Sequence, residues 1–133
     1  MISNKTDYAL RLLLNLATKS SQDLIPSRQI AEEEQIPPNF LPQIVAALVK
    51  KGWVESVRGP GGGVRLSIEP QEITVADVVG LFEELQVRQC IHEPGVCERA
   101  KGCPLRKVLG KAEFQMQQVL VKTTLADLLN GES

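Results

Sequence analysis

The chain has 133 residues, 43% hydrophobic and 23% charged, with a formal net charge of −1 at pH 7. This suits one soluble globular domain, or a small domain with an oligomerising appendage. It excludes a uniformly basic nucleic-acid binder: any such partner must be met by Lys and Arg gathered on one face.

The opening stretch "MISNKTDYALRLLLNLATKS" carries periodic polar positions and an acid, so it reads as an amphipathic helix and not as a signal peptide. Ala9, Leu10, Leu12, Leu13, Leu16 and Ala17 form its apolar face over residues 5–19. No apolar run approaches the roughly 18 residues of a membrane span, so no membrane partner and a reducing, cytoplasmic setting are expected. After a loop at "SSQD", Ser27 offers an N-cap for "RQIAEEEQ", which stops at Pro37 and Pro38. "NFLPQIVAALVKKG" predicts a third helix capped near Asn39, with Pro42 tolerated in its first turn and Gly52 past its end. "WVESV" (53–57) and "VRLSI" (64–68), joined by "RGPGGG", predict a β-hairpin. "TVADVVGLFEELQ" then starts with Thr74 and Asp77 at capping-box spacing and places Val75, Val78, Val79, Phe82 and Leu85 on one face. A longer helix from about Leu105 to Lys122 carries Leu105, Leu109, Ala112, Met116 and Val119 as an a/d seam. A short capped piece, "TLADLL", closes the chain, and no internal repeat is evident.

Three helices and a hairpin follow the order of a winged helix-turn-helix. The third helix offers Asn39 and Gln43 at the amino-terminal end, which in such folds meets base edges in the major groove. The wing tip is nearly free of side chains, and Arg58 and Arg65 flank it, suited to the DNA backbone or a minor groove. The expected DNA-contacting set is Arg28, Asn39, Phe40, Gln43, Arg58, Gly61, Gly62 and Arg65. Helix-turn-helix shapes also serve protein interactions, and residues 26–65 hold five basic and four acidic residues, a weak electrostatic footprint.

All three cysteines fall in "CIHEPGVCERAKGC", residues 90–103, as C-x6-C-x5-C. An odd number cannot all pair within one chain. Free cysteines are ordinarily scattered and buried, so three in one polar loop point to metal or redox chemistry. Thiolates suit zinc, copper(I) or iron–sulfur clusters, and these gaps fit a cluster of several irons better than a compact zinc knuckle. One ligand is missing from a set of four. His92, Glu93 and a residue from elsewhere or from a partner subunit are the candidates.

Together the segments "TDYALRLLLNLA", "SRQIAEEEQIPPNFLPQIVAALVKKGWVESVRGPGGGVRLS", "ITVADVV", the cysteine loop and "TLADLL" resemble the Rrf-two family of bacterial regulators over nearly the whole chain. The resemblance implies a mostly α fold with a small β-hairpin: a winged helix-turn-helix with its supporting helix (residues 1–86), a cluster-binding loop (87–103), and a long dimerisation helix with a cap (104–133). It implies a homodimer on a pseudo-palindromic double-stranded DNA operator, with Cys90, Cys97 and Cys103 on an iron–sulfur cluster of four-iron or two-iron type. IscR-type members supply a histidine three residues after the last cysteine, where Arg106 stands here. NsrR-type members use a first-helix aspartate from the other subunit, and Asp7 matches it. Pro42 stands where IscR-type proteins carry an operator-selecting glutamate, so no operator sequence transfers. The resulting expectation is a transcriptional regulator whose DNA affinity follows nitric oxide, redox state or iron supply. The alternative is a zinc or thiol–disulfide interaction module using the same cysteines. With one histidine, no nucleophile–base arrangement and no nucleotide-binding Gly motif, nothing points to an enzyme.

Overall fold

The structure, a computed structural model, describes residues 2–83 and 102–131. Helix α1 (Asn4–Ala17) is capped by Ser3, whose Oγ accepts from the Thr6 amide at 3.3 Å. Its Ala9, Leu12, Leu13 and Leu16 lie in the core, and it stops two residues short of expectation, with the Thr18 hydroxyl donating to the Asn15 carbonyl at 2.6 Å. Helix α2 (Ser27–Glu34) corrects one expectation: Pro26 holds the cap position without a side-chain hydrogen bond, and Ser27 is the first helical residue. Proline has its φ already near the helical value, so the chain enters the helix without a capping hydroxyl.

The turn out of α2 is made by Gln35 in the left-handed region (φ 56°), while Ile36 plugs the core. A 3-10 turn, Pro38–Phe40, then leads into α3 (Leu41–Lys50). Asn39 therefore sits inside this turn and caps nothing, a second correction; Pro42 occupies the first turn of α3, whose amides lack intrahelical partners. Leu41, Ile44 and Leu48 face inward.

Strands β1 (Val54–Val57) and β2 (Gly63–Leu66) pair antiparallel with Val54 opposite Leu66 and Val57 opposite Gly63. Against the predicted 53–57 and 64–68, β1 loses Trp53, while β2 gains Gly63 and loses Ser67 and Ile68. A third element joins them: Ile25 bridges Val64 through amide–carbonyl bonds of 2.8 and 2.9 Å. Gly63 makes this approach possible, since a Cβ there would lie 2.4 Å from the Ile25 carbonyl oxygen. Gly63→Ala is accordingly expected to cost on the order of 3 kcal/mol in a denaturation experiment, because backbone must move to admit the methyl.

Past a 3-10 turn (Pro70–Glu72) come α4 (Val75–Phe82), the 19-residue α5 (Pro104–Lys122) and α6 (Leu125–Leu129). Thr74–Asp77 forms the expected reciprocal capping box, and Thr124–Asp127 forms a second. The two caps pair with each other: Val75 donates to the Thr123 carbonyl at 2.8 Å and Leu125 to the Ile73 carbonyl at 3.0 Å. "TVADVV" and "TLADLL" are thus a short structural repeat, where none was evident from the sequence. Val78 and Leu125 share one core with Leu12, Ile44 and Val64, so α1 packs against the helix-turn-helix on one side and against α4 and α6 on the other. The architecture is a winged helix-turn-helix with a long C-terminal helix. Among the described residues no helix is long and apolar enough to cross a membrane.

Among the described residues the seam of α5 is only partly covered. Glu113 is its one buried residue, while Leu105, Val108 and Val119 are about 60% exposed. Ala112 is exposed as well, whereas Leu109 and Met116 are half-buried. Leu85 lies outside the described residues.

Candidate nucleic-acid interface and cysteine site

A groove runs between the amino end of α2, the outward face of α3 and the hairpin. Arg28, Lys50 and Arg58 line it, and no acidic residue does. Arg28 and Arg58 are exposed and make no ion pair among the described residues. Asn39 and Gln43 are also exposed, at the amino-terminal approach to α3. The arrangement is a cationic margin around a helix end, the geometry that meets a phosphate backbone on either side of a major groove.

Three members of the expected contact set are placed differently. Phe40 is half-buried, its ring edge against Tyr8 at 5.2 Å, and so helps seat the turn before α3. Arg65 is held by its cross-strand partner Glu55, with 2.9 Å contacts from both Nε and Nη2, and its charge is locally balanced. Gly62 is required by packing, since a Cβ would lie 2.3 Å from the Val57 carbonyl oxygen. Gly61 lies exposed at the wing tip. Lys50 and Ser56, which also line the groove, were not singled out from sequence; for Lys50 the available signal was its place in the last turn of α3, opposite the Ile44–Leu48 face.

Cys90 and Cys97 lie outside the described residues, as do His92 and Glu93. Cys103 is the N-cap residue of α5, a free, half-exposed thiol. Asp7 occupies the first turn of α1, where its charge complements the macrodipole, and pairs with Arg11 at 2.9 Å across a surface that leaves its side chain 46% exposed. Among the described residues no three His, Cys, Asp or Glu side chains converge as a metal site, and Cys90 and Cys97 lie outside those residues.

Glu83 is the unexpected residue here. Its Oε1 accepts from the Ser3 amide and from the Thr6 hydroxyl, both at 2.9 Å, tying the end of α4 to the turn that presents Asp7. Hydrogen bonds from the side chain and backbone of Ser3, then from Thr6, hold its carboxyl below the usual 4.5. A lowered folded value means that the contact's stabilisation is complete above pH 4.5 and fades as the pH falls through that value. Glu83→Gln should therefore be less stable than the parent above pH 4.5 and converge with it in more acid solution, as urea titrations across this range would show.

A family model, Rrf2, described as an iron-dependent transcriptional regulator, matches residues 2–131. The chain belongs to the Rrf2 family. Among Rrf2 relatives, the HTH-type transcriptional regulator NsrR of Bacillus subtilis is 35% identical over 133 residues, covering 98% of this chain and 91% of its own. NsrR of Geobacillus kaustophilus is 38% identical over 134 residues, covering 99% and 91%. The solved structure of CymR (YrzC), the global cysteine regulator of B. subtilis, superposes with a TM-score of 0.81 at 29% identity, covering 100% of this chain and 98% of that one. T. potens IscR gives 0.75 at 29% identity, covering 98% and 87%. These Rrf2 proteins are transcriptional regulators and not enzymes, and this chain is a DNA-binding transcriptional regulator of the same kind.

Proposed function

We propose that this Rrf2 regulator acts as a homodimer whose operator affinity is set by an iron–sulfur cluster, of four-iron or two-iron type, on Cys90, Cys97, Cys103 and Asp7 of the second subunit. The observation that carries this reading is where the cysteine stretch is attached. Glu83 before it is pinned to the first turn of α1 beside Asp7, and Cys103 at its end caps α5. Helix α1 packs directly behind the DNA-reading helices, so a constraint on the stretch reaches α3 through one layer of core.

The donors suit such a group. Cys103 offers a free thiol, and Asp7 offers a surface carboxylate that a second chain can approach. When bound, the cluster supplies a reactive joint that nitric oxide, a change of redox state or iron shortage would open. Thiolates would hold such a group firmly, and a carboxylate, the harder ligand, would be the more labile donor. The protein's part is positional: Glu83 fixes the turn carrying Asp7, and the exposed apolar stripe of α5 brings the second subunit into register. Two α3 helices would then enter successive major grooves roughly 34 Å apart on a pseudo-palindrome.

A second reading keeps DNA binding and gives the cysteines thiol–disulfide chemistry. It is favoured by the likeness to CymR, named a cysteine regulator in B. subtilis and also solved in an oxidised form from Staphylococcus aureus (TM-score 0.78, 30% identity). The visible absorption spectrum, with iron and sulfide counts, of protein purified without oxygen separates them. Broad visible absorption with iron and sulfide in matching amounts supports the cluster. Colourless protein free of iron excludes it and leaves the thiol switch, or a zinc site if zinc is found.

A further inference from the structure

The outward face of α3 is chemically unusual for a helix that reads DNA. Opposite the buried Leu41, Ile44 and Leu48 stand Pro42, Val45, Ala46 and Val49, all lining the groove; Pro42, Ala46 and Val49 are exposed and Val45 half so. None of these four side chains can donate or accept a hydrogen bond. Gln43 is the one side chain in the first two turns that can. Around this apolar floor lie Arg28, Lys50 and Arg58 and no acid. A cationic margin around an apolar strip complements one occupant well: a duplex whose phosphates meet the margin while its major-groove edge meets the strip.

We infer that this face reads its operator by thymine methyl groups, with Val45, Ala46 and Val49 as the specificity-determining side chains. The inference rests on the DNA-binding activity and is independent of the cluster. In the major groove, base pairs differ both in hydrogen-bonding groups and in the C5-methyl of thymine, and small apolar side chains match the latter. Pressed against this strip, the N4 amine of cytosine or O6 of guanine would lose water and gain no partner. A thymine methyl would instead exchange water for carbon. Each methyl so buried is worth about a fourfold gain in affinity. Pro42 belongs to the same logic: lacking a donor, it contributes a surface and no hydrogen-bond code.

The test uses the full chain and duplexes selected from a pool with a randomised centre, so that no operator need be known. In the strongest binder each thymine is replaced in turn by deoxyuridine, which removes the methyl group and leaves the base-pairing edge intact, and affinity is read by fluorescence anisotropy at fixed salt. Loss of about fourfold at one or more positions in each half-site is expected. The same series is run with Val45→Ser, Ala46→Ser and Val49→Ser, none of which alters a buried residue. In at least one variant the uracil penalty should shrink towards unity at a defined position. Arg28→Ala, by contrast, should weaken thymine and uracil duplexes equally. Equal binding of thymine and uracil duplexes at every position would overturn the inference and leave the strip as a protein-facing surface. A uracil penalty that none of the three variants alters would overturn it too, by assigning the methyl contact to another part of the chain.

Discussion

Val108→Glu combined with Val119→Glu is expected to turn the protein into monomers and to lower its affinity for a two-site operator at least a hundredfold. Both side chains are about 60% exposed within one chain and lie on one face of α5 with Leu105 and Ala112. A 19-residue helix with a single buried residue cannot owe its place to its own chain's core alone. The apolar stripe is the sort of surface that a second copy covers, and two glutamates on each subunit would meet their like across a two-fold axis. Because neither residue touches the core, the monomer should keep its helical content. The DNA penalty follows from linkage: one bound half-site otherwise raises the effective concentration of the second reader, an advantage on the order of 10²–10⁴. Sedimentation and anisotropy on the same samples test this. A variant that remains dimeric would move the interface elsewhere on the molecule.

Cys103→Ser and Asp7→Ala are expected to fail in different ways. With Cys103 gone, two local thiols remain, and anaerobically purified protein should be colourless with DNA affinity fixed at the cluster-free value. Asp7→Ala should still assemble a cluster on three thiolates but lose it at least tenfold faster in air, because the fourth corner is left to solvent. Folding stability should hardly change in the second case, since an exposed i,i+4 pair such as Asp7–Arg11 contributes at most about 0.5 kcal/mol. Iron counts over time after exposure to air read both outcomes. Equal decay rates for Asp7→Ala and the parent protein would remove Asp7 from the ligand set.

The parts of this protein legible in its sequence are those built from local chemistry. The spacing of Ala9, Leu12, Leu13 and Leu16 announces α1, Thr74 with Asp77 announces a helix start, and "RGPGGG" announces the hairpin. Helix α5 was equally plain, although its seam shifts: Val108 joins the exposed stripe, and Leu109 and Met116 are half-buried. What stayed hidden depends on residues far apart in the chain. Glu83 looks like one more surface acid until it is found 77 residues away from its Thr6 partner. Ile25 lies in a loop by pattern, and only its pairing with Val64 makes it part of the sheet. Local rules also misjudged two helix starts, because Pro26 and the Pro38–Phe40 turn do by fixed backbone geometry what Ser27 and Asn39 were expected to do by capping. Phe40 looked like an exposed reader because nothing in its neighbourhood reveals the Tyr8 ring. For the site, the residue types were visible, but that Arg65 is already engaged by Glu55 required the strand register.

The central claim is that one iron–sulfur cluster controls one DNA affinity, and its most direct test is a paired titration. Protein purified without oxygen is split in two, one half kept intact and the other stripped of iron by a chelator, and both are titrated with the same selected duplex. The account predicts dissociation constants that differ at least tenfold, a coupling of about 1.4 kcal/mol, with the difference abolished in Cys103→Ser. Identical constants for the intact and stripped halves of an iron-loaded protein would contradict it.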